Sequence, residues 1–268
     1  MEIETFPKTI WFLWFQGLNS APLVVQKCYA SWVKHNPGWT IIVLDEHNIS
    51  KYVPLSPNDL TKQALSDIIR INLLAKHGGI WVDATCYCTK PLDSWIFDYT
   101  TQGFFAFNKP GPDRMISSWF MASTPDNYIS ATYLKEVNNY WEHNPNLKFS
   151  EHLKWRFLRK KLKSTEPQAW FSFFIKKVIK AYPYFWFHYL FERIYLNDEQ
   201  VKEVWDLTPK ISADIPHHLQ IAGLFKPLSP QLKEHIDQTT SPCYKLTWKF
   251  NDSEFQEDSV LGYVLNLN

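Results

Sequence analysis

The 268-residue chain is short of cysteine, of net charge and of long apolar runs, and each shortage removes a class of function. Its four cysteines, Cys28, Cys86, Cys88 and Cys243, form no pair of C-x-x-C units, which argues against a zinc site and against a disulfide framework. Cys86 and Cys88 would share one face of a strand and could not easily bond to each other, so a reducing compartment fits them best. A formal net charge of +1 excludes a chain-wide polyanion binder. No apolar stretch approaches the roughly 20 residues that cross a bilayer. The opening Met1-Glu2-Ile3-Glu4-Thr5 is acidic and lacks the apolar run of a signal peptide. The expected location is therefore cytoplasmic. No internal repeat or low-complexity segment is evident.

What the chain has in excess is aromatic: 17% Phe, Trp and Tyr, with 13 Trp. Core packing accounts for most of them, and the rest can serve sugar faces, base stacks or membrane interfaces. The length suffices for one large domain, or a domain with a helical appendage.

The first part alternates strand and helix signals. Lys8 to Trp14 reads as a buried strand after Pro7, Leu23 to Lys34 as a helix stopped before Asn36-Pro37-Gly38, and Trp39 to Leu44 as a second strand ending at Asp45. Asn58 or Asp59 is expected to cap a helix running to about His77. Ile80-Trp81-Val82 reads as a third strand and Phe104 to Phe107 as a fourth. Such alternation predicts an α/β fold with a mainly parallel sheet flanked by helices. Ligands then lie beyond the carboxyl ends of the strands, where Trp14, Asp45 and Asp83 fall. From about residue 126 the character turns helical. A final amphipathic piece, Asp258 to Leu267, is expected to pack back on the body.

The most informative stretch runs from Ser66 to Thr85. On a helix, Asp67 and Arg70 share a face. Alone they are an ordinary intrahelical pair on a solvated surface. Gly78-Gly79 then stops the helix and throws the chain into the strand that carries Asp83. The combination suits a phosphorylated, hydroxyl-rich ligand. The carboxylate of Asp67 can accept from sugar hydroxyls, and the Arg70 fork can reach a hydroxyl or a phosphate oxygen. Asp83 becomes a credible ligand for Mg or Mn, hard cations that bridge a diphosphate.

The pattern S-D-x-x-R-x-x-x-L-x-x-x-G-G-I-W-x-D resembles the sugar-binding-region, D-x-D-type (family 32-like) retaining glycosyltransferases, and within them the bacterial capsular polysaccharide synthesis branch. Phe6-Pro7-Lys8-Thr9-Ile10-Trp11, Ser31-Trp32 with Asn36-Pro37-Gly38-Trp39, and Lys245-Leu246-Thr247-Trp248-Lys249 resemble three further elements of that branch. The likeness covers most of residues 6–95 and a patch near 242–249; the middle is weaker. It implies a single GT-A-like domain over 1–268: a nucleotide-sugar-binding core over 1–125, a helical basic and aromatic insertion facing acceptor or membrane over 126–200, and a closing segment over 201–268. It also implies a nucleotide-diphosphate sugar donor, UDP-sugar favoured, and transfer of a hexose with retention to a growing, polyprenol-linked cell-surface polysaccharide.

Residue by residue, the resemblance makes Asp67, Arg70 and Asp83 the catalytic candidates. Donor contacts fall to Trp11, Trp14, Asp67, Arg70, Gly79, Thr85, Trp248 and Lys249, with Trp14 either stacking on the base or serving as a core Trp at a strand end. Asp83 and Thr85 take the metal positions of D-x-D, for Mn2+ or Mg2+. Thr85 is the departure, because the motif expects a second Asp there. Either the metal still binds through Asp83, with Thr85 acting by its hydroxyl or a water and Lys249 or another cation sharing the phosphate charge, or metal dependence is lost. D-A-T is usual in the capsular branch, which favours a working enzyme over the alternative, a catalytically degenerate sugar-nucleotide- or carbohydrate-binding protein of polysaccharide assembly. His217 and His218 read as structural histidines or as contacts to phosphate or acceptor.

Residues 148–193 carry eleven Lys or Arg against three Asp or Glu, interleaved with aromatics. A solvated helical face accounts for part of this. Nucleic acid binding is disfavoured by the acidic balance elsewhere. Docking on an anionic membrane surface, peripheral on the inner face of the plasma membrane, fits a polyprenol-linked acceptor.

Overall fold

In the computed structural model, which describes residues 6–54, 60–150, 167–250 and 255–267, the expected strand after Pro7 is β1 (Thr9–Leu13). It lies between two parallel neighbours, β2 (Thr40–Leu44) and β3 (Gly79–Asp83). The helices between them are α1 (Leu23–His35) and α2 (Lys62–His77). α1 buries Val24, Val25, Cys28, Ser31 and Trp32 along one stripe, and the Trp32 indole donates to the Cys86 carbonyl at 2.8 Å. α2 is capped by Thr61, whose side chain accepts from Ala64 N. This corrects the expected cap: Asn58 and Asp59 precede the cap and lie outside the described residues.

The sheet is mixed rather than mainly parallel. After β4 (Cys86–Cys88) and the short α3 (Ile96–Tyr99), the chain forms a hairpin of β5 (Phe104–Gly111) and β6 (Arg114–Ser123). Gly111 opposes Arg114, so the connection is tight, and a connection that short can join only antiparallel neighbours. β6 inserts between β3 and β5, giving the order β2-β1-β3-β6-β5. The α/β expectation stands; its direction rule fails at β6.

Side chains alternate between the faces of this sheet. Trp11, Leu13 and Trp81 point to a core shared with α2, α4 (Tyr128–Glu142) and α5 (Trp186–Asn197). Ile10, Phe12, Ile80 and Val82 point to a second core shared with α1, where Phe105, Phe107 and Phe120 also pack. The helical expectation beyond residue 126 holds for α4 and α5, followed by α6 (Glu199–Leu207), α7 (Asp214–Ala222) and α8 (Pro230–Asp237). β7 (Lys148–Phe149) and β8 (Ala181–Tyr182) form a small parallel pair. The chain then returns as β9 (Cys243–Lys245), antiparallel to β4, with Cys86 opposite Lys245. The closing helix α9 (Val260–Leu265) packs into a third core with Tyr87, Leu219, Tyr244 and Leu246, as expected for the final amphipathic piece. All four cysteines are buried free thiols. Among the described residues no helix is long and apolar enough to cross a membrane.

The turn from α2 into β3 rests on two glycines with positive φ, Gly78 at 64° and Gly79 at 89°. A Cβ on Gly79 would lie 2.6 Å from the Thr9 carbonyl oxygen, so the strand pair itself excludes a side chain there. Gly79→Ala should cost at least about 2 kcal/mol from the positive φ and the backbone clash together. Urea unfolding followed by tryptophan fluorescence would show the loss; an unchanged midpoint would refute this account of the turn.

Candidate functional site

Because β1, β2 and β3 run the same way, Trp14, Asp45 and Asp83 emerge at one edge of the sheet. α2 runs back against β3, so its first half passes the carboxyl end of that strand. This places Asp67 and Arg70 beside Asp83. Arg70 Nη1 lies 2.8 Å from Asp67 Oδ1, and Nη2 donates to Ser66 Oγ and to Asp83 Oδ1, both at 3.2 Å. The guanidinium sits 5.0 Å from the Trp81 ring and 5.7 Å from the Phe187 ring. The Trp81 indole also donates to Asp83 Oδ1, at 3.0 Å. The solvated-face reading of the Asp67–Arg70 pair therefore fails: both residues are buried.

The other oxygen of Asp83 belongs to a residue that sequence reasoning passed over. Lys245 Nζ donates to Asp83 Oδ2 at 2.9 Å and to Thr85 Oγ1 at 2.8 Å. β9 delivers it: Cys86 opposes Lys245, and Leu246 N donates to the Thr85 carbonyl at 2.8 Å. The signal was present, since Lys245 opens the K-L-T-W-K element that ends in Trp248 and Lys249.

Tryptophan burial marks the same edge. Ten of the tryptophans are buried. Among the described residues the two that are not, Trp14 and Trp248, meet edge to face at 5.5 Å. Lys249 does not reach the carboxylates; its Nζ lies 5.9 Å from the Trp248 ring.

Two expected donor contacts are corrected. Trp11 is a core residue whose indole donates to the Gly78 carbonyl at 2.9 Å and packs edge to face on Tyr52. Gly79 begins β3 while Asp83 ends it, a separation of roughly 13 Å at about 3.3 Å per residue. Asp45 is a turn residue, its Oδ1 accepting from His47 N and Asn48 N. His217 packs edge to face on Trp119 at 5.3 Å, whereas His218 stacks on His235. α5 supplies a wall that sequence reasoning also missed: Phe187 over Arg70, and His188, buried with no hydrogen-bond partner for Nδ1. Burial holds the His188 imidazole well below its usual pKa, and the charges of Arg114 and Arg70 add to that effect, so the ring is neutral.

The electrostatics divide the two carboxyls. Burial alone would raise Asp83, but Lys245 and Arg70 more than offset it and hold the carboxyl well below the usual range. Burial raises Lys245's cost too, yet Asp83 outweighs it and the ammonium titrates above its ordinary value. Burial pushes Asp67 up to about 7, with Arg70 opposing and Asp83 adding to the rise.

As arranged, these residues do not fit a divalent cation. The motif offers one carboxylate, with both oxygens taken by cationic donors, and one hydroxyl that already accepts from Lys245. Among the described residues no group of three or more His, Cys, Asp or Glu is placed to hold a metal.

A family model described as capsular polysaccharide synthesis protein matches residues 2–149 and 162–264. The chain belongs to that family. The O-glycosyltransferase braB of Annulohypoxylon truncatum is 28% identical over 174 residues, which is 55% of this chain and 41% of that protein. The glycosyltransferase afumC of Aspergillus fumigatus is 29% identical over 104 residues, 32% of this chain and 27% of that protein. The matches span less than half the length of either fungal relative. A solved structure titled PaToxG Glycosyltransferase aligns over 87% of this chain and 84% of its own at 14% identity, with a TM-score of 0.41, a superposition too loose to carry weight.

The Asp67 assignment has a pH signature. Its folded value, about 7, lies above the ordinary 3.8, so the folded protein holds an extra proton between them. The stability this group contributes is complete below about pH 4 and is lost as the pH rises to about 7. Between about pH 5 and pH 7 the wild type should lose on the order of 2 kcal/mol that Asp67→Asn does not lose. Parallel urea titrations of the two proteins would check this, and identical slopes would contradict it.

Proposed function

We propose that this chain is a retaining glycosyltransferase that moves a hexose from a nucleotide-diphosphate sugar, UDP-sugar favoured, to a growing capsular or other cell-surface polysaccharide on a polyprenol carrier. The observation that carries the reading is the Asp67–Arg70–Asp83–Lys245 network at the carboxyl edge of parallel strands, beside the unburied Trp14–Trp248 pair. Family membership and the glycosyltransferase names of the two fungal relatives agree with it. Retention, the donor base and the GT-A likeness come from the motif resemblance.

The chemistry asks for positive charge and dryness. As the sugar C1–oxygen bond breaks, negative charge builds on the departing diphosphate and C1 approaches an oxocarbenium state. Arg70 and Lys245 stand at that edge as fixed cations, set before the reaction begins. Trp14 and Trp248 offer ring faces to the base, and the 245–249 segment would cover the diphosphate and keep water from the donor. The acceptor hydroxyl attacks C1 on the face the diphosphate leaves. Its proton passes to a phosphate oxygen of the leaving group, so no side-chain base is required.

The test is release of free nucleotide from a panel of UDP- and GDP-sugars, with and without Mn2+. Slow donor hydrolysis is expected, and Asp83→Ala should lower it by about a hundredfold or more, the scale of losing a charge-organising group. No turnover with any donor, together with undiminished nucleotide binding by Asp83→Ala, would sink the enzyme reading. It would favour the alternative, a sugar-nucleotide-binding assembly protein, which the neutral Thr85 motivates.

We also propose that the protein works on the cytoplasmic face of an anionic membrane, where a polyprenol-linked acceptor would reside. Arg159, Lys160 and Lys161, central to the basic stretch, lie outside the described residues. Support comes from the part that is described: Phe173 (75% exposed), Phe174 and Val178 stand out in solvent beside Lys176, Lys177 and Lys180. Apolar side chains among ammonium groups suit the interface of an anionic bilayer. Co-sedimentation with phosphatidylglycerol vesicles should weaken at high salt and in a Phe173→Ser, Phe174→Ser, Lys180→Glu variant. Binding indifferent to both would refute the docking.

A further inference from the structure

We propose that Lys245 supplies, from the chain itself, the positive charge that a D-x-D site takes from a divalent cation, so that a nucleoside diphosphate binds and departs here without metal. This deepens the glycosyltransferase reading and rests on it.

Position comes first. The ammonium bridges the two residues that hold the D-x-D places, at 2.9 Å from Asp83 Oδ2 and 2.8 Å from Thr85 Oγ1. It therefore stands where a cation between those side chains would stand. It is not a loose surface lysine that drifted there. β9 is hydrogen-bonded to β4, Cys243, Tyr244 and Leu246 are buried around it, and the Lys245 side chain is only 15% exposed.

Charge comes second. Two Asp residues and one dication sum to zero; Asp83 and one ammonium, with a neutral Thr85, sum to zero as well. Thr85 thus ceases to be a defect. Replacing Asp by Thr removes one negative charge, and replacing a dication by lysine removes one positive charge. A second carboxylate at position 85 would leave Lys245 outnumbered, whereas a hydroxyl accepts from the ammonium and adds no charge.

Chemistry comes third. Mg2+ demands near-octahedral oxygen ligation, and Mn2+ favours similar oxygen donors. The oxygens present are already engaged: Asp83 Oδ1 accepts from Arg70 and Trp81, and Asp83 Oδ2 and Thr85 Oγ1 each accept from Lys245. A dication entering here would meet two fixed cations within a few ångströms. A phosphate oxygen meets the reverse. An ammonium has three N–H donors, of which two are used by Asp83 and Thr85. The third is left for the incoming anion, and Asp83, with its side chain 29% exposed, marks the side open to solvent.

The experiment is calorimetric titration of the full chain with UDP and with GDP, in EDTA and in Mn2+, joined by manganese EPR on the wild type without nucleotide. One of the two nucleotides should bind equally well in EDTA and in Mn2+, and the EPR signal should show no stoichiometric Mn2+ site. Lys245→Met should weaken that binding about tenfold or more, as expected for loss of a charge-assisted hydrogen bond. Lys245→Arg, which keeps the charge, should retain most of it, and this separates loss of charge from loss of fold. The double variant Thr85→Asp, Lys245→Ala should acquire Mn2+-dependent binding. Nucleotide binding that requires Mn2+ in the wild type, or that survives Lys245→Met unchanged in EDTA, overturns the inference while leaving the glycosyltransferase reading in place. Failure of the wild type to bind either nucleotide under any condition overturns both.

Discussion

The carboxylate of Asp83 is the point on which the rest of this structure depends. It sits at the end of a buried strand, under an indole and beside a guanidinium, where a charge without partners would be strongly destabilising. It has partners on both oxygens: Arg70 and Trp81 on one, Lys245 on the other. Those partners come from α2, β3 and β9, so one carboxylate sets the phase of a helix and the register of a strand far away in the chain. The tight Gly78–Gly79 turn and the β4–β9 ladder are what this convergence demands of the backbone. Removing either cationic partner would leave one oxygen of this partly buried carboxylate without its charged donor, and the remaining cation would have to carry the whole charge.

The abundance of aromatic residues reads differently once packed. Most of the tryptophans are walls of two cores, one on each face of the sheet. Trp81 and Phe187 both pack on the buried Arg70, and the low dielectric they create strengthens its ion pairs. Against that background Trp14 and Trp248 gain meaning, because among the described residues every other indole is buried while these two meet each other at the carboxyl edge of the strands.

Much of the architecture was legible in the sequence because it follows from local periodicity. α1, β1, β2 and β3 have apolar patterns and breakers that mark them within a residue or two, and the cap of α2 lies two or three residues later than expected. β6 was not legible. It is buried on both faces from Ile116 onward and carries Ser117 and Ser118 in its interior, so neither an alternating pattern nor a continuous apolar run announces it. Its insertion between β3 and β5 turns an expected parallel sheet into a mixed one. Gly79 shares the motif and the strand with Asp83 but sits at the opposite end, and Trp11, from the opening element, points into the core from the neighbouring strand. A linear motif does not say which of its residues serve the turn and which serve the site.

By itself, the sequence determined the α/β alternation, the Gly-Gly reversal, and the placement of Asp67, Arg70 and Asp83 within reach of one another. Helix period and strand length settle these over twenty residues. Only the tertiary structure decided that the Asp67–Arg70 pair is buried rather than solvated, and that Lys245 rather than Lys249 meets Asp83 and Thr85. Burial depends on what packs above a helix, here α5, and a contact across about 160 residues depends on strand pairing. Neither is carried by any local pattern, because the free energy that fixes them arises from surfaces meeting that are remote along the chain.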